Sequence, residues 1–140
     1  MNAIDRFLRY VTYDTQSAEG SDTCPSTEKQ KVLGQALADE LGQLGLYNAH
    51  MDEHGYVYAW LPATPGCEGI PCVGLVAHMD TSPDAPGANI KAKKILYRGG
   101  DIDLGERVMR ISDFPVLSKY EGRELIVTDG STLLGADDKA

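Results

Sequence analysis

Basic residues are in short supply in this sequence, and the shortage excludes a class of partner. Thirteen Lys and Arg stand against 21 Asp and Glu, for a net charge of −8 and a pI near 4.7. A surface that tracks a phosphate backbone needs the opposite balance, so no nucleic-acid partner is expected. Long apolar runs are missing too. No window approaches the roughly 20 residues that a membrane-spanning helix needs, so no membrane association is expected. The opening MNAIDRFLRYV carries an early Asp and no apolar centre, and does not read as a secretory signal. Cysteine is sparse: Cys24, Cys67 and Cys72 form an odd set without C-x-x-C spacing. That excludes the usual thiolate zinc and redox motifs and predicts reduced thiols in a cytoplasmic chain. Repeats and low-complexity runs are absent. What is there, 140 residues with 42% hydrophobic and 24% charged, fits one soluble globular domain or part of a larger one.

Local pattern divides the chain. Ile4, Phe7, Leu8 and Val11 recur at helical spacing and predict a first amphipathic helix over residues 3 to about 12. Residues 14–25 are polar and read as a loop. In it, Asp14, Thr15, Gln16 and Ser17 either face a substrate cleft or are merely solvated, the second being the default. Thr27 with Gln30 forms a plausible capping box, and Leu33, Leu37, Leu41 and Leu44 predict a second helix stopped at Gly45. Residues 46–51 and 56–61 alternate around Asp52, Glu53, His54 and Gly55, a β-hairpin with a left-handed glycine at its turn. After a Pro- and Gly-rich loop, residues 73–77 (VGLVA) form an apolar run expected as a strand buried on both faces. Residues 81–87 are irregular, and 88–120 read as hairpins and loops over a sheet. Residues 125–128 are expected as a strand that turns at Asp129-Gly130 and returns through 132–134. The fold class expected is α/β, with helices packed on a mixed β-sheet.

Histidine is as scarce as cysteine, with residues at 50, 54 and 78. His50 and His54 flank the predicted hairpin turn. Extended, they would stand about 13 Å apart, too far to share one ion. His78 is different, because Asp80 follows two residues later at the end of the apolar run. Alternate side chains of an extended segment point the same way, so the two can meet at the mouth of a sheet, where α/β ligands gather. Two readings compete: a metal-ligand imidazole held by its carboxylate, or a His capping a loop. The last residues, Gly135 to Ala140, add Asp137 and Asp138 beside Lys139. Adjacent carboxylates repel unless something positive holds them. A divalent cation would do so, and so would solvent and Lys139.

Taken together, His78-Met79-Asp80-Thr81-Ser82-Pro83-Asp84, Arg98-Gly99-Gly100-Asp101 and Thr128-Asp129-Gly130 running on through Leu133-Leu134-Gly135-Ala136-Asp137-Asp138-Lys139-Ala140 resemble the peptidase T family. These are the tripeptide aminopeptidases of the M20 co-catalytic zinc metallopeptidases. Asp14-Thr15-Gln16-Ser17 and Pro25-Ser26-Thr27-Glu28 match too, so the resemblance runs over essentially the whole chain. It implies that His78 is a zinc ligand, that Asp80 is the catalytic-site residue orienting its imidazole, and that Asp137 bridges two zincs. Asp138 and Lys139 would be scaffold. It implies hydrolysis of the first peptide bond of a tripeptide, with water activated by zinc and a Glu base. It also implies that residues 1–140 are the N-terminal portion of the catalytic domain. The Glu-Glu pair, a further Asp and His ligand, and an inserted dimerisation domain would lie downstream. On that footing the chain alone is expected to be inactive, and an open sheet edge is expected to drive self-association. The alternatives are another M20 dipeptidase or deacylase, or a non-catalytic module that needs a partner chain.

Overall fold

The computed structural model describes residues 2–134. Helix α1, Ala3–Tyr10, starts on a reciprocal cap: Asp5 N donates to Asn2 Oδ1 at 2.8 Å, and Asn2 N to Asp5 Oδ2 at 3.3 Å. Helix α2, Gln30–Gln43, ends as its glycine foretells. Gly45 takes φ +84, while Leu46 N reaches Leu41 O at 3.1 Å and Gly45 N reaches Gly42 O at 2.9 Å, the paired bonds of a Schellman stop. Its start departs from expectation. Thr27 does not cap the helix. Its hydroxyl donates to Gln16 O at 2.8 Å, and Gln30 Nε2 reaches back to that hydroxyl at 3.1 Å.

Strands β1, Tyr47–Met51, and β2, Val57–Trp60, make the expected antiparallel hairpin. At its turn Asp52 Oδ1 accepts from His54 N and Tyr56 N, and Gly55 sits at φ +85. Helix α2 lies on this hairpin. Gly34 makes the approach possible, since a Cβ there would stand 2.5 Å from Met51 Sδ. Leu33 is buried, whereas Leu44, at the far end of the same stripe, is exposed.

The remaining strands pair locally. Strand β3, Lys93–Leu96, runs antiparallel to β6, Glu124–Val127, with Ile95 opposite Leu125. The short strands β4, Ile102–Asp103, and β5, Val108–Met109, form a third ladder. With a 3-10 helix at Pro115–Tyr120 they enclose a small core of Tyr97, Ile102 and Leu117. The α/β class therefore holds, but the single mixed sheet does not. Among the described residues there are three two-stranded antiparallel sheets, and parallel pairing is confined to a bridge between Gln16 and Thr81.

Two further expectations are corrected. Residues 73–77 are not a strand, and Leu75 and Val76 are each 96% exposed. A strand apolar on both faces is stable only between neighbours that accept its backbone bonds and layers that cover it. Among the described residues no strand pairs with it. Asp129-Gly130 is not a hairpin turn either. Asp129 Oδ1 accepts from Ser131 N and Oγ, closing a local turn. Gly130 is wedged against Arg107, whose N would lie 2.9 Å from an added Cβ.

Asp129 also yields a pH prediction. Lys91 Nζ stands 2.7 Å from Asp129 Oδ2, and this contact, with the bonds from Ser131, holds the carboxyl well below the usual carboxylate range. A folded-state pKa below the unfolded one stabilises the fold above about pH 4, the unfolded value, and the stabilisation is lost as pH falls below it. The stability gap between the wild-type chain and Asp129→Asn, read from urea unfolding at several pH values, should therefore narrow steadily below about pH 4. A gap as wide at pH 2.5 as at pH 7 (roughly the two ends of this window) would show that the carboxylate contributes nothing through its charge.

Candidate functional site

Asp80 lies one residue before Thr81, where the chain regains backbone partners: Thr81 N donates to Thr15 O at 3.2 Å, and Ser17 N to Thr81 O at 2.9 Å. From that anchored point the side chains of His78 and Asp80 turn to the same side, as alternate positions of an extended chain do. His78 Nδ1 and Asp80 Oδ1 are 3.1 Å apart, each side chain a little under half exposed. The pair expected from spacing is formed even though the strand leading to it is not.

The geometry suits a metal-ligand imidazole. With Asp80 accepting from Nδ1–H, the ring is held in the tautomer whose Nε2 carries the lone pair. Among the described residues, no group of three or more His, Cys, Asp and Glu is placed to hold an ion. Asp137, Asp138 and Lys139 lie outside the described residues.

His78 and Asp80 border a groove of about 860 Å³. One wall is residues 75–80; the other is α2 and the hairpin, through Leu37, Leu41, Tyr56 and Tyr58. An apolar groove with few polar groups at its rim is the usual setting of a small-molecule site. Cys24 and His54 reach the same groove. Cys24 Sγ lies 4.0 Å from the Tyr56 hydroxyl, and its hydrogen bond pushes the phenol above the ordinary tyrosine value. His54 stands 3.6 Å from Glu53, while His50 stacks on Tyr58 with ring centres 5.4 Å apart. The hairpin thus sends its two histidines to different neighbours. Cys24, Cys67 and Cys72 are free thiols.

Two arrangements near the site escape sequence reasoning. Residues 14–17, with solvation as their default reading, are knitted to the loop after Asp80. Glu40, a charged residue in the apolar stripe of α2, is buried and takes Arg6, Arg9 and the Tyr10 hydroxyl together. A polar tetrad in a loop looks the same in sequence whether it bonds water or backbone. The one available signal for Glu40 was its place beside Leu37, Leu41 and Leu44 on a helix that must bury that side.

No protein-family model matches the chain. Curated proteins do. The chain is 50% identical over 142 residues to a protein named Peptidase T from Parabacteroides distasonis, covering 99% of this chain and 35% of that one. It is 50% identical over 141 residues to a Peptidase T of Halothermothrix orenii, with coverage of 98% and 34%. With one from Desulfitobacterium hafniense the identity is 53% over 143 residues, with coverage of 99% and 34%. The similarity therefore runs along nearly the whole of this chain, which spans about a third of the length of the curated relatives it matches.

Proposed function

We propose that this chain is the N-terminal portion of the catalytic domain of a cytoplasmic, zinc-dependent tripeptide aminopeptidase of the M20 family. The His78–Asp80 contact carries the proposal, and the similarity to Peptidase T along nearly the whole chain supports it. In this reading His78 and Asp137 hold zinc, and Asp80 keeps the His78 imidazole in its ligating tautomer. Zinc held there supplies Lewis acidity toward a peptide carbonyl and toward water. The residues of this chain do the rest of what lies within it. Asp80 holds the Nδ1–H of His78 and so leaves Nε2 for the metal. The net reaction adds water across the first peptide bond of a tripeptide, releasing the N-terminal amino acid and a dipeptide. The further ligands, the general base and the dimerisation domain belong, in this proposal, to the two-thirds of the relatives' length that the chain does not span. A catalytic zinc takes about three protein ligands and a water. The 140-residue chain by itself is therefore expected not to hydrolyse tripeptides.

Calorimetric zinc titration of the chain as its gene encodes it tests the reading. His78→Ala should abolish the binding, and Asp80→Ala should weaken it by roughly 10- to 100-fold, the usual effect of losing the partner of a ligating His. Zinc affinity identical in His78→Ala and the wild-type chain would end the proposal. Tripeptide hydrolysis by the chain as its gene encodes it, lost with the same substitution, would complete the case.

A further inference from the structure

The loop that follows Asp80 is gripped from the N-terminal segment by an unusual number of bonds for a polar stretch. Gln16 Nε2 donates to Ala85 O at 2.7 Å and to Pro83 O at 3.2 Å. Ser17 puts both its N–H and its hydroxyl on Thr81 O, each at 2.9 Å. Thr81 N closes the bridge on Thr15 O at 3.2 Å. The grip is itself anchored next to α2, because Thr27 Oγ1 donates to Gln16 O and Lys29 pairs with Asp14 at 2.8 Å. Its interior is buried: Thr15 is fully buried and Thr81 is 4% exposed. It also closes on a glycine. A Cβ on Gly87 would stand 3.0 Å from Asp14 Oδ1, 3.1 Å from Gln16 Cβ and 3.3 Å from Thr81 Oγ1.

On the other side of Asp80 the backbone is less tied down. Residues 73–77 pair with no strand among the described residues. Among the described residues, Thr81 is the backbone anchor next to the His78–Asp80 pair. A ligand must be held to within about half an ångström to bind metal well, and the shell behind it sets that precision.

We propose that Gln16 and Ser17 are positioning residues for the His78–Asp80 pair. Their donors lock the carbonyls of Thr81, Pro83 and Ala85 and so set where the imidazole stands. This rests on the zinc-ligand reading of His78 and assigns to residues 14–17 a role that reading does not use.

The test employs the chain as its gene encodes it, with zinc titration and hydrogen exchange at the Thr81 amide. Ser17→Ala removes one of the two donors on Thr81 O. Gln16→Glu keeps shape but replaces the donating amide with a carboxylate that the two carbonyls repel. Both are expected to weaken zinc binding by about tenfold or more, the cost of a lost supporting bond. Both should also speed Thr81 exchange, while exchange in the hairpin Tyr47–Trp60 stays as in the wild type. Ser17→Thr, which keeps the hydroxyl, should restore both readings. If Gln16→Glu does not fold, the Ser17 pair decides alone. Zinc affinity unchanged in Ser17→Ala and Gln16→Glu, with His78→Ala abolishing it, would overturn the positioning role and leave the zinc reading intact. Zinc affinity unchanged in His78→Ala would overturn both, and faster Thr81 exchange would then mark the grip as structural only.

Discussion

Glu40→Ala is expected to lower the unfolding free energy by about 3 kcal/mol, the low end of what breaking a buried ion pair costs. The reason is what the carboxylate holds. Glu40 is 9% exposed on α2 and accepts from Arg6 Nε at 2.5 Å, from Arg9 Nη2, and from the Tyr10 hydroxyl at 2.8 Å. These donors all come from α1, a helix with no buried residue of its own. The attachment of α1 to α2 is therefore polar where most helix pairs are apolar. Removing the acceptor leaves two guanidinium groups facing each other, so the loss exceeds that of the bonds alone. The two arginine side chains are about a third exposed, which keeps the figure below the extreme for fully buried pairs. Glu40→Gln should recover only part of the loss, since a neutral amide accepts more weakly than a carboxylate. Tyr10→Phe should cost about 1 kcal/mol, one hydrogen bond's worth. Urea unfolding of the three variants measures all of this. A Glu40→Ala protein within about 0.5 kcal/mol of wild type, the range of an ordinary surface change, would mean that the ion pairs are solvated and α1 is held some other way.

How much of this was legible follows from the range of each interaction. The two helices, the Gly45 stop and the hairpin turn at Gly55 rest on contacts within a few residues, so periodicity and turn chemistry reveal them. The pairing of His78 with Asp80 is equally local and was readable from their spacing. What failed depends on distant partners. Residues 73–77 have the composition of a central strand, but strand formation needs neighbours that composition does not specify. Residues 125–127 are extended, as their composition predicts, yet their partner is Lys93–Leu96 across a long connection, not the residues after Gly130. The grip of Gln16 and Ser17 on the loop after Asp80 joins segments more than 60 residues apart. Nothing in a single polar tetrad announces such a target.

The exposed run at residues 73–77 leads to the other large expected effect: the 140-residue chain self-associates, and Leu75→Lys with Val76→Lys makes it monomeric. Val73 is 81% exposed, and Leu75 and Val76 are each 96% exposed. In an extended segment the side chains of residues 75 and 76 point to opposite sides, so covering one face leaves the other wet. Together with the apolar groove beside them they make a surface larger than scattered exposed residues would. The cover of this run is either another part of its own chain or another copy. In a solution of the 140-residue chain alone, another copy is the cover within reach. An unpaired extended backbone offers it a template for edge-to-edge pairing. Burying Leu75 and Val76 at about 2 kcal/mol each gives roughly 4 kcal/mol, close to a thousandfold in dissociation constant. Sedimentation velocity over a wide concentration range should show the wild-type chain growing in mass while the double variant does not. A wild-type chain monomeric throughout would mean that residues 73–77 fold back onto their own groove. In the chain as its gene encodes it, the same double substitution separates the two covers. If the cover is intramolecular, it lowers stability without changing the association state, and if it is a second copy, it changes the association state first.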